Sequence, residues 1–291
     1  MESHKDLSVL MVSFNVRGCL KNCLISIYQN SGIDNLEIIV VDNASADGTP
    51  EMIKESFPQV RLIENTENIF LTKADNQALR QANSEYILLL NTDTLIQNGT
   101  LKTMLEFLKN NPDVAAVGPR IVNTNGEFED CIALGRTWDY FLYNHTLLSK
   151  IFRQKAEKIN KKSFIAGWDR NSDRDAEIMI DVCLMVKADL LNRVGLYDEK
   201  FKLYFAEDDF CNRIRKTGKR IHFLSSLAVT HLKHQSLISV DKRKIARIYQ
   251  DDACTYVRKY FGFMRGAIFL TFIKLTRILA SIRGLIKDKN E

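Results

Sequence analysis

The 291-residue sequence has no GxxxxGK[ST] phosphate loop and no GxGxxG after its first apolar run. ATPases and the usual dinucleotide-dependent dehydrogenases therefore lose support, since their backbones need those glycines to approach phosphate. With 13 Gly and 4 Pro the chain is neither collagen-like nor dominated by linkers. The six cysteines include no CxxC pair, which speaks against a zinc site and for free thiols in a reducing compartment. The N-terminal residues run into an apolar strand pattern without the order of a signal peptide, so the body is expected to be cytoplasmic. No uncharged stretch approaches the roughly 20 residues of a spanning helix; in the apolar C-terminal region the longest runs only from Gly266 to Ile273.

What is present is a sequence 45% hydrophobic, long enough to bury roughly three quarters of its unfolded surface. The net charge of +5 is unevenly placed. From Arg258 onward eight Lys and Arg face Asp288 and Glu291, a surplus of six, so the remainder is near neutral at −1. A nucleic-acid-binding body is not expected. The basic, apolar segment is read as an interfacial helix on an anionic membrane surface, with a helix packed on the body or a dimer contact as the alternative.

Apolar runs at Leu7 to Phe14, Leu36 to Val41, Val60 to Ile63 and Tyr86 to Leu90 alternate with helical patterns after Asn15, at Thr49 to Phe57 and at Ala74 to Ala82. Strands apolar on both faces and separated by helices predict an α/β fold with a parallel sheet. Polar clusters follow three of these runs: Ser13 and Asn15; Asp42, Asn43 and Ser45; Asn91, Thr92 and Asp93. In open parallel sheets such strand ends form the ligand crevice, although each cluster alone could instead cap the next helix. Residues 127–174 are expected to be loops and short helices over one face, and regular structure resumes at Ile178 to Val186 and Ala188 to Val194.

Three further features carry chemistry. Asp93 offers a carboxylate at a strand end that can hold Mg²⁺ or Mn²⁺ together with substrate phosphates. Glu207, Asp208 and Asp209 open an amphipathic helix; the acids suit its dipole, and one of them could serve as a general base. His231 and His234, after the strand Ile221 to Leu224 and a short connection, are either a weak zinc pair, a buried histidine, or, for one of them, a partner to a cation at Asp93.

In order and spacing, Val12-Ser13-Phe14-Asn15, Val41 to Gly48, Glu67-Asn68 with Lys73 to Gln77, Leu88 to Asp93, and Val194 to Asp198 through the acidic helix to His231 resemble the inverting family 2 glycosyltransferases of GT-A fold. Within that family the rhamnosyltransferase-like bacterial enzymes of cell-surface polysaccharide synthesis are the nearest in look. The resemblance implies a GT-A domain over residues 1–240, with a nucleotide-binding part at about 7–120 and an acceptor-side part at about 121–240, followed by a helical segment over 241–291. It implies a dTDP- or UDP-linked sugar donor and a lipid-linked or polysaccharide acceptor at the inner face of the cell membrane. Ser13, Asn15, Asp42, Ser45, Lys73 and Thr92 would bind nucleotide, Asp42 by reading the base. Asp93 and His231 would serve the metal. One register puts the catalytic carboxylate at Glu207 and another at Asp208; Asp208 is taken first and both are kept.

The chain departs from that family in two places. Asn68-Ile69-Phe70-Leu71 stands where Asn-x-Gly-Phe is usual, and Asp181-Val182 where Gly-Ala is frequent. Both put bulk or charge where the backbone approaches the sugar or the acceptor. They also keep open a nucleotide-sugar-binding protein without turnover, and a metal-dependent nucleotidyltransferase stands beside it as a further function class.

Overall fold

A computed structural model describes residues 5–232 and 241–287. The chain opens with β1 (Leu7–Ser13), α1 (Arg17–Asn30), β2 (Leu36–Asp42), α2 (Thr49–Ser56), β3 (Arg61–Glu64), α3 (Leu71–Leu79) and β4 (Tyr86–Leu90). It continues through β5 (Thr94–Ile96), α4 (Thr100–Asn110), β6 (Val114–Val122), β7 (Phe128–Glu129), β8 (Ile132–Ala133), α5 (Trp138–Asn144), α6 (Leu148–Ile151) and α7 (Arg153–Ser163). Next come β9 (Arg174–Ala176), β10 (Ile178–Met179), β11 (Cys183–Lys187), α8 (Ala188–Val194), α9 (Ala206–Lys216), β12 (Arg220–His231) and α10 (Lys242–Lys287).

The sheet runs β3-β2-β1-β4-β11-β6-β12-β5, with β7 and β9 pairing at its margin. Six of those eight strands point one way, and β11 and β5 oppose them. The mostly parallel, helix-flanked α/β sheet expected from sequence is the one observed. Its central strands are apolar on both faces, and Leu7, Val9, Leu10, Val40, Val41, Leu88 and Leu184 are among the residues that lose nearly all contact with solvent beneath the helices.

Parallel neighbours end together, so β1, β2 and β4 deliver Ser13, Asp42 and Leu90 to the same edge. The polar clusters there do not cap helices through their side chains: Val16, Gly48 and Gly99 occupy the N-cap positions of α1, α2 and α4, none with a side-chain cap bond. Two expectations need correction. Helix α3 starts at Leu71, three residues earlier than its pattern suggested. The strand expected at Ile221 to Leu224 extends to His231, so no connecting segment precedes that histidine. A register shift between Leu224 and Ala228, where polar Ser225 and Ser226 break the apolar run, hid the continuity. His234 lies outside the described residues.

Helix α10 turns back on itself at Gly262, whose φ of 86° is open to glycine but costly for other residues. The two halves lie antiparallel. Gly266 packs against Arg258, where a Cβ would stand 3.4 Å from the Arg258 Cα, and Arg277 bonds to Gln250 and Asp251. The first half buries Ala253, Tyr256 and Val257; the second buries Phe269 and Ile273, with Phe269 edge-on to Trp138 and Phe141.

Candidate active site

A cavity of about 440 Å³ opens at the carboxyl edge of the sheet. Ser13 from β1, Asn91, Thr92 and Asp93 after β4, His231 from the end of β12 and Glu207 from the first turn of α9 all line it. The first half of α10 contributes Lys244, Ile245 and Ile248 to the same wall. Nothing in the sequence pattern signalled that last contribution, because it depends on the chain returning across the sheet.

One side is a network of short loops. Asp42 Oδ2 accepts hydrogen bonds from Ser13 Oγ at 2.7 Å and Ser45 Oγ at 2.6 Å, while Oδ1 accepts from the Ser45 amide at 2.8 Å. Asn15 donates its amide to Ser45 Oγ at 2.8 Å and accepts from the Ala46 amide at 2.7 Å. Asn15 and Ala44 hold positive φ values of 54° and 63°, which turn the two loops toward each other. Ser13, Asn15, Asp42 and Ser45 thus form one hydrogen-bonded unit, in which Ser13 reaches the cavity and the other three stand behind its wall. Lys73 stands apart, exposed on α3 and outside the lining.

At the centre, His231 Nε2 lies 3.2 Å from Asp93 Oδ1, and its Nδ1 lies 3.1 Å from Glu129 Oε2. Burial alone would lower the histidine's proton affinity, but the bonds and charges of Asp93 and then Glu129 carry it above the ordinary value. Sequence reasoning missed Glu129, which arrives on the two-residue strand β7. Among the described residues no group of three or more His, Cys, Asp or Glu is arranged to hold a metal ion. Asp93 and His231 instead make a pair of one carboxylate and one imidazole, a donor set suited to a cation that completes its shell with phosphate oxygens and water.

The three acids of α9 diverge because successive helical residues are about 100° apart. Glu207 faces the cavity. Asp208 is buried in an ion pair with Arg136 Nε at 2.6 Å, and the guanidinium sits over the Tyr140 and Phe164 rings. Asp209 is held by Arg213 at 2.8 Å, Lys259 at 2.5 Å and the Tyr260 hydroxyl at 2.7 Å. Burial first, and then the charges of Asp208 and Asp181, push the Glu207 carboxyl well above the usual carboxylate range. From α10, the buried Asp252 accepts from the amides of Lys202, Leu203 and Tyr204 at 2.9–3.2 Å, fixing the loop that leads into α9. Arg136 and Asp252, each far from α9 in sequence, left no local signal.

Phe70 has φ 68° and ψ 173° and lines the cavity. It keeps a backbone conformation that strongly favours glycine, held by Asn68 Oδ1 accepting from its amide at 2.9 Å.

Comparison with known proteins agrees with this architecture. The family model described as "Glycosyl transferase family 2" matches residues 8–167. An N-acetylglucosaminyl-diphospho-decaprenol L-rhamnosyltransferase of Mycobacterium tuberculosis is 23% identical over 225 residues, 69% of this chain and 68% of that protein. Among solved structures, S. aureus TarS 1-349 aligns with a TM-score of 0.55 at 17% identity, covering 88% of this chain and 73% of that one. GalNAc-T7 with UDP, GalNAc and Mn²⁺ aligns with a TM-score of 0.58 at 15% identity over 79% of this chain, which spans 44% of its length.

Proposed function

The chain belongs to glycosyl transferase family 2, and from that premise we propose that it transfers a hexose, with inversion, from a nucleoside-diphosphate sugar to a hydroxyl of a lipid-linked or polysaccharide acceptor. The observation that carries the proposal is the single cavity shared by Ser13, Thr92, Asp93 and His231 on one side and Glu207 on another.

In this reading the Ser13, Asn15, Asp42 and Ser45 unit holds the nucleotide, and Asp42, already positioned by three donors, accepts from the base. Lys73 takes no part. Asp93 and His231 would hold Mg²⁺ or Mn²⁺, which when bound neutralises charge on the leaving diphosphate. Glu207 takes the proton from the acceptor hydroxyl as that oxygen attacks the anomeric carbon opposite the leaving group. Burial raises the proton affinity of both acids, but Glu207 reaches the cavity while Asp208 is committed to the buried Arg136 guanidinium, so Glu207 and not Asp208 is taken as the base. The rhamnosyltransferase relative makes dTDP-rhamnose the first donor to test.

Among the described residues no helix is long and apolar enough to cross a membrane. The outer face of α10 nevertheless exposes Phe263 at 74%, Met264 at 78%, and Ile268, Leu275, Ile278 and Leu279, interleaved with Arg265 and Lys274. This favours docking on an anionic, cytoplasmic leaflet. Because Phe269 and Ile273 on the inner face are buried, serine at Phe263, Met264 and Ile268 is a cleaner test than truncation, and it should abolish co-sedimentation with phosphatidylglycerol vesicles.

The function is tested by offering purified protein dTDP-rhamnose and UDP-hexoses with Mn²⁺ or Mg²⁺ and an acceptor, and measuring released dTDP or UDP. Release with one donor preferred supports the proposal. Saturable sugar-nucleotide binding without release would leave a binding protein in its place.

A further inference from the structure

Of the three carboxylates that line the cavity, Asp181 is the one that the proposed chemistry leaves without a role. It lies in the turn between β10 and β11 and lines the cavity together with Asp93 and Glu207. The turn is pinned to the end of β4, because the Asn91 amide donates to the Val182 carbonyl at 3.0 Å. The Tyr197 hydroxyl donates to Asp181 Oδ2. Tyr197 is itself fixed: Asn76 accepts from its amide at 3.1 Å and donates to its carbonyl at 3.0 Å, and its buried ring stands edge-on to Phe210. Asp181 is therefore a half-buried carboxylate held in place by a buried phenol.

The location decides what it can touch. In a single displacement the transferred sugar occupies the space between the leaving diphosphate and the base, here the space between Asp93 with His231 and Glu207. A carboxylate on that wall meets a ring rich in hydroxyl donors, and bonds to a charged acceptor are the stronger kind. Phe70 lines the same cavity and offers an apolar surface.

We propose that Asp181, positioned by Tyr197, accepts hydrogen bonds from the hydroxyls of the transferred sugar and so determines donor choice. The assignment rests on the glycosyl-transfer reading above.

The test uses the full chain as Asp181→Asn, Asp181→Gly and Tyr197→Phe, each checked by thermal melting. Calorimetry with Mn²⁺ compares dTDP and UDP with dTDP-rhamnose, UDP-glucose and UDP-N-acetylglucosamine in a Glu207→Gln background, where turnover does not interfere. Asp181→Asn should weaken the preferred sugar nucleotide by about 10- to 100-fold while shifting its free nucleoside diphosphate by less than about twofold. Asp181→Gly should narrow the spread among donors. Tyr197→Phe should weaken the preferred donor by about 3- to 10-fold and serves as the test if the Asp181 variants do not fold.

Equal losses on sugar nucleotide and free nucleotide overturn the assignment. So does an unchanged donor ranking, or a chain with native Asp181 that binds no sugar nucleotide more tightly than its free nucleotide. In turnover assays, a kcat that collapses on every donor with loss of the acid limb of the pH profile makes Asp181 the base and also overturns it. Failure of the glycosyl-transfer reading shows up separately, as wild-type protein that binds a preferred sugar nucleotide but releases no dTDP or UDP.

Discussion

The nucleotide side and the base side of the cavity are built on opposite plans. Around Asp42, one bond comes from Ser13 at the end of the neighbouring parallel strand and two from Ser45 in the loop that follows Asp42 itself, so the carboxylate is satisfied by two hydroxyls and one amide. Around Glu207, three consecutive acids are sorted by cations: Arg136 and Lys259 from distant chain, with Arg213 one turn along α9, take Asp208 and Asp209 and leave Glu207 to the cavity. The nucleotide side is a local device and the base side a tertiary one. Substitutions on the first should act on binding and turnover together, and on the second should separate turnover, stability and binding.

The largest effects test that separation directly. Asp93→Ala should abolish both metal-dependent nucleotide binding and turnover, read by calorimetry and nucleotide release. Glu207→Gln should lower kcat by about 10²- to 10⁴-fold while dTDP and UDP still bind. A Glu207→Gln protein with full activity removes the proposed base, and one that no longer binds nucleotide erases the contrast between the two sides.

Next in size is Asp208→Asn. It leaves Arg136 as an uncompensated buried charge, and stability should fall by about 3–5 kcal/mol in denaturant unfolding. The fraction that stays folded should keep its turnover, which distinguishes an ion-pair partner from a catalytic group. Arg136→Met in the Asp208→Asn background should recover much of the loss, because no buried charge is then unpaired.

Asp252→Asn sharpens the comparison from α10. Its carboxylate accepts from three consecutive amides, so the amide should cost about 1–3 kcal/mol in stability and lower kcat more than it alters nucleotide affinity, since the loop it holds carries α9. Equal changes in kcat and nucleotide affinity would mean that the loop does not act through Glu207.

The same division explains what the sequence disclosed. Ser13, Asp42 and Asp93 follow continuous apolar runs, and parallel strands that end together must gather them at one edge, so the α/β fold and that side were legible from periodicity. Glu207 and Asp208 sit next to each other, and only the side on which Arg136 lies, 72 residues away, decides which faces the cavity. Asp252 and the α10 wall carry no local mark, because a helix that returns to cover a site reads as an ordinary amphipathic helix. Phe70 is intermediate: the departure from glycine was visible, and its φ of 68° shows that the chain kept the glycine conformation while adding a ring.

The smallest effect concerns pH. Glu207 titrates higher in the folded protein than its ordinary value of 4.5, chiefly through burial and then through Asp208 and Asp181. Below that value both folded and unfolded chains hold the proton, and Glu207→Gln should match wild type in stability. As pH rises past it, the unfolded chain releases the proton while the folded chain retains it, so wild-type stability declines until the folded group ionises as well. One proton accounts for a slope of at most about 1.4 kcal/mol per pH unit. Glu207→Gln should therefore show a flatter profile and greater stability than wild type at neutral pH, measured by denaturant unfolding between pH 4 and 8. Identical profiles would place Glu207 in a solvated setting like that of an ordinary surface acid, and the raised proton affinity that suits it to act as base would be gone. A steeper decline in the variant would mean that Asp181 or Asp75, both also raised by burial, takes up the proton that Glu207 normally holds.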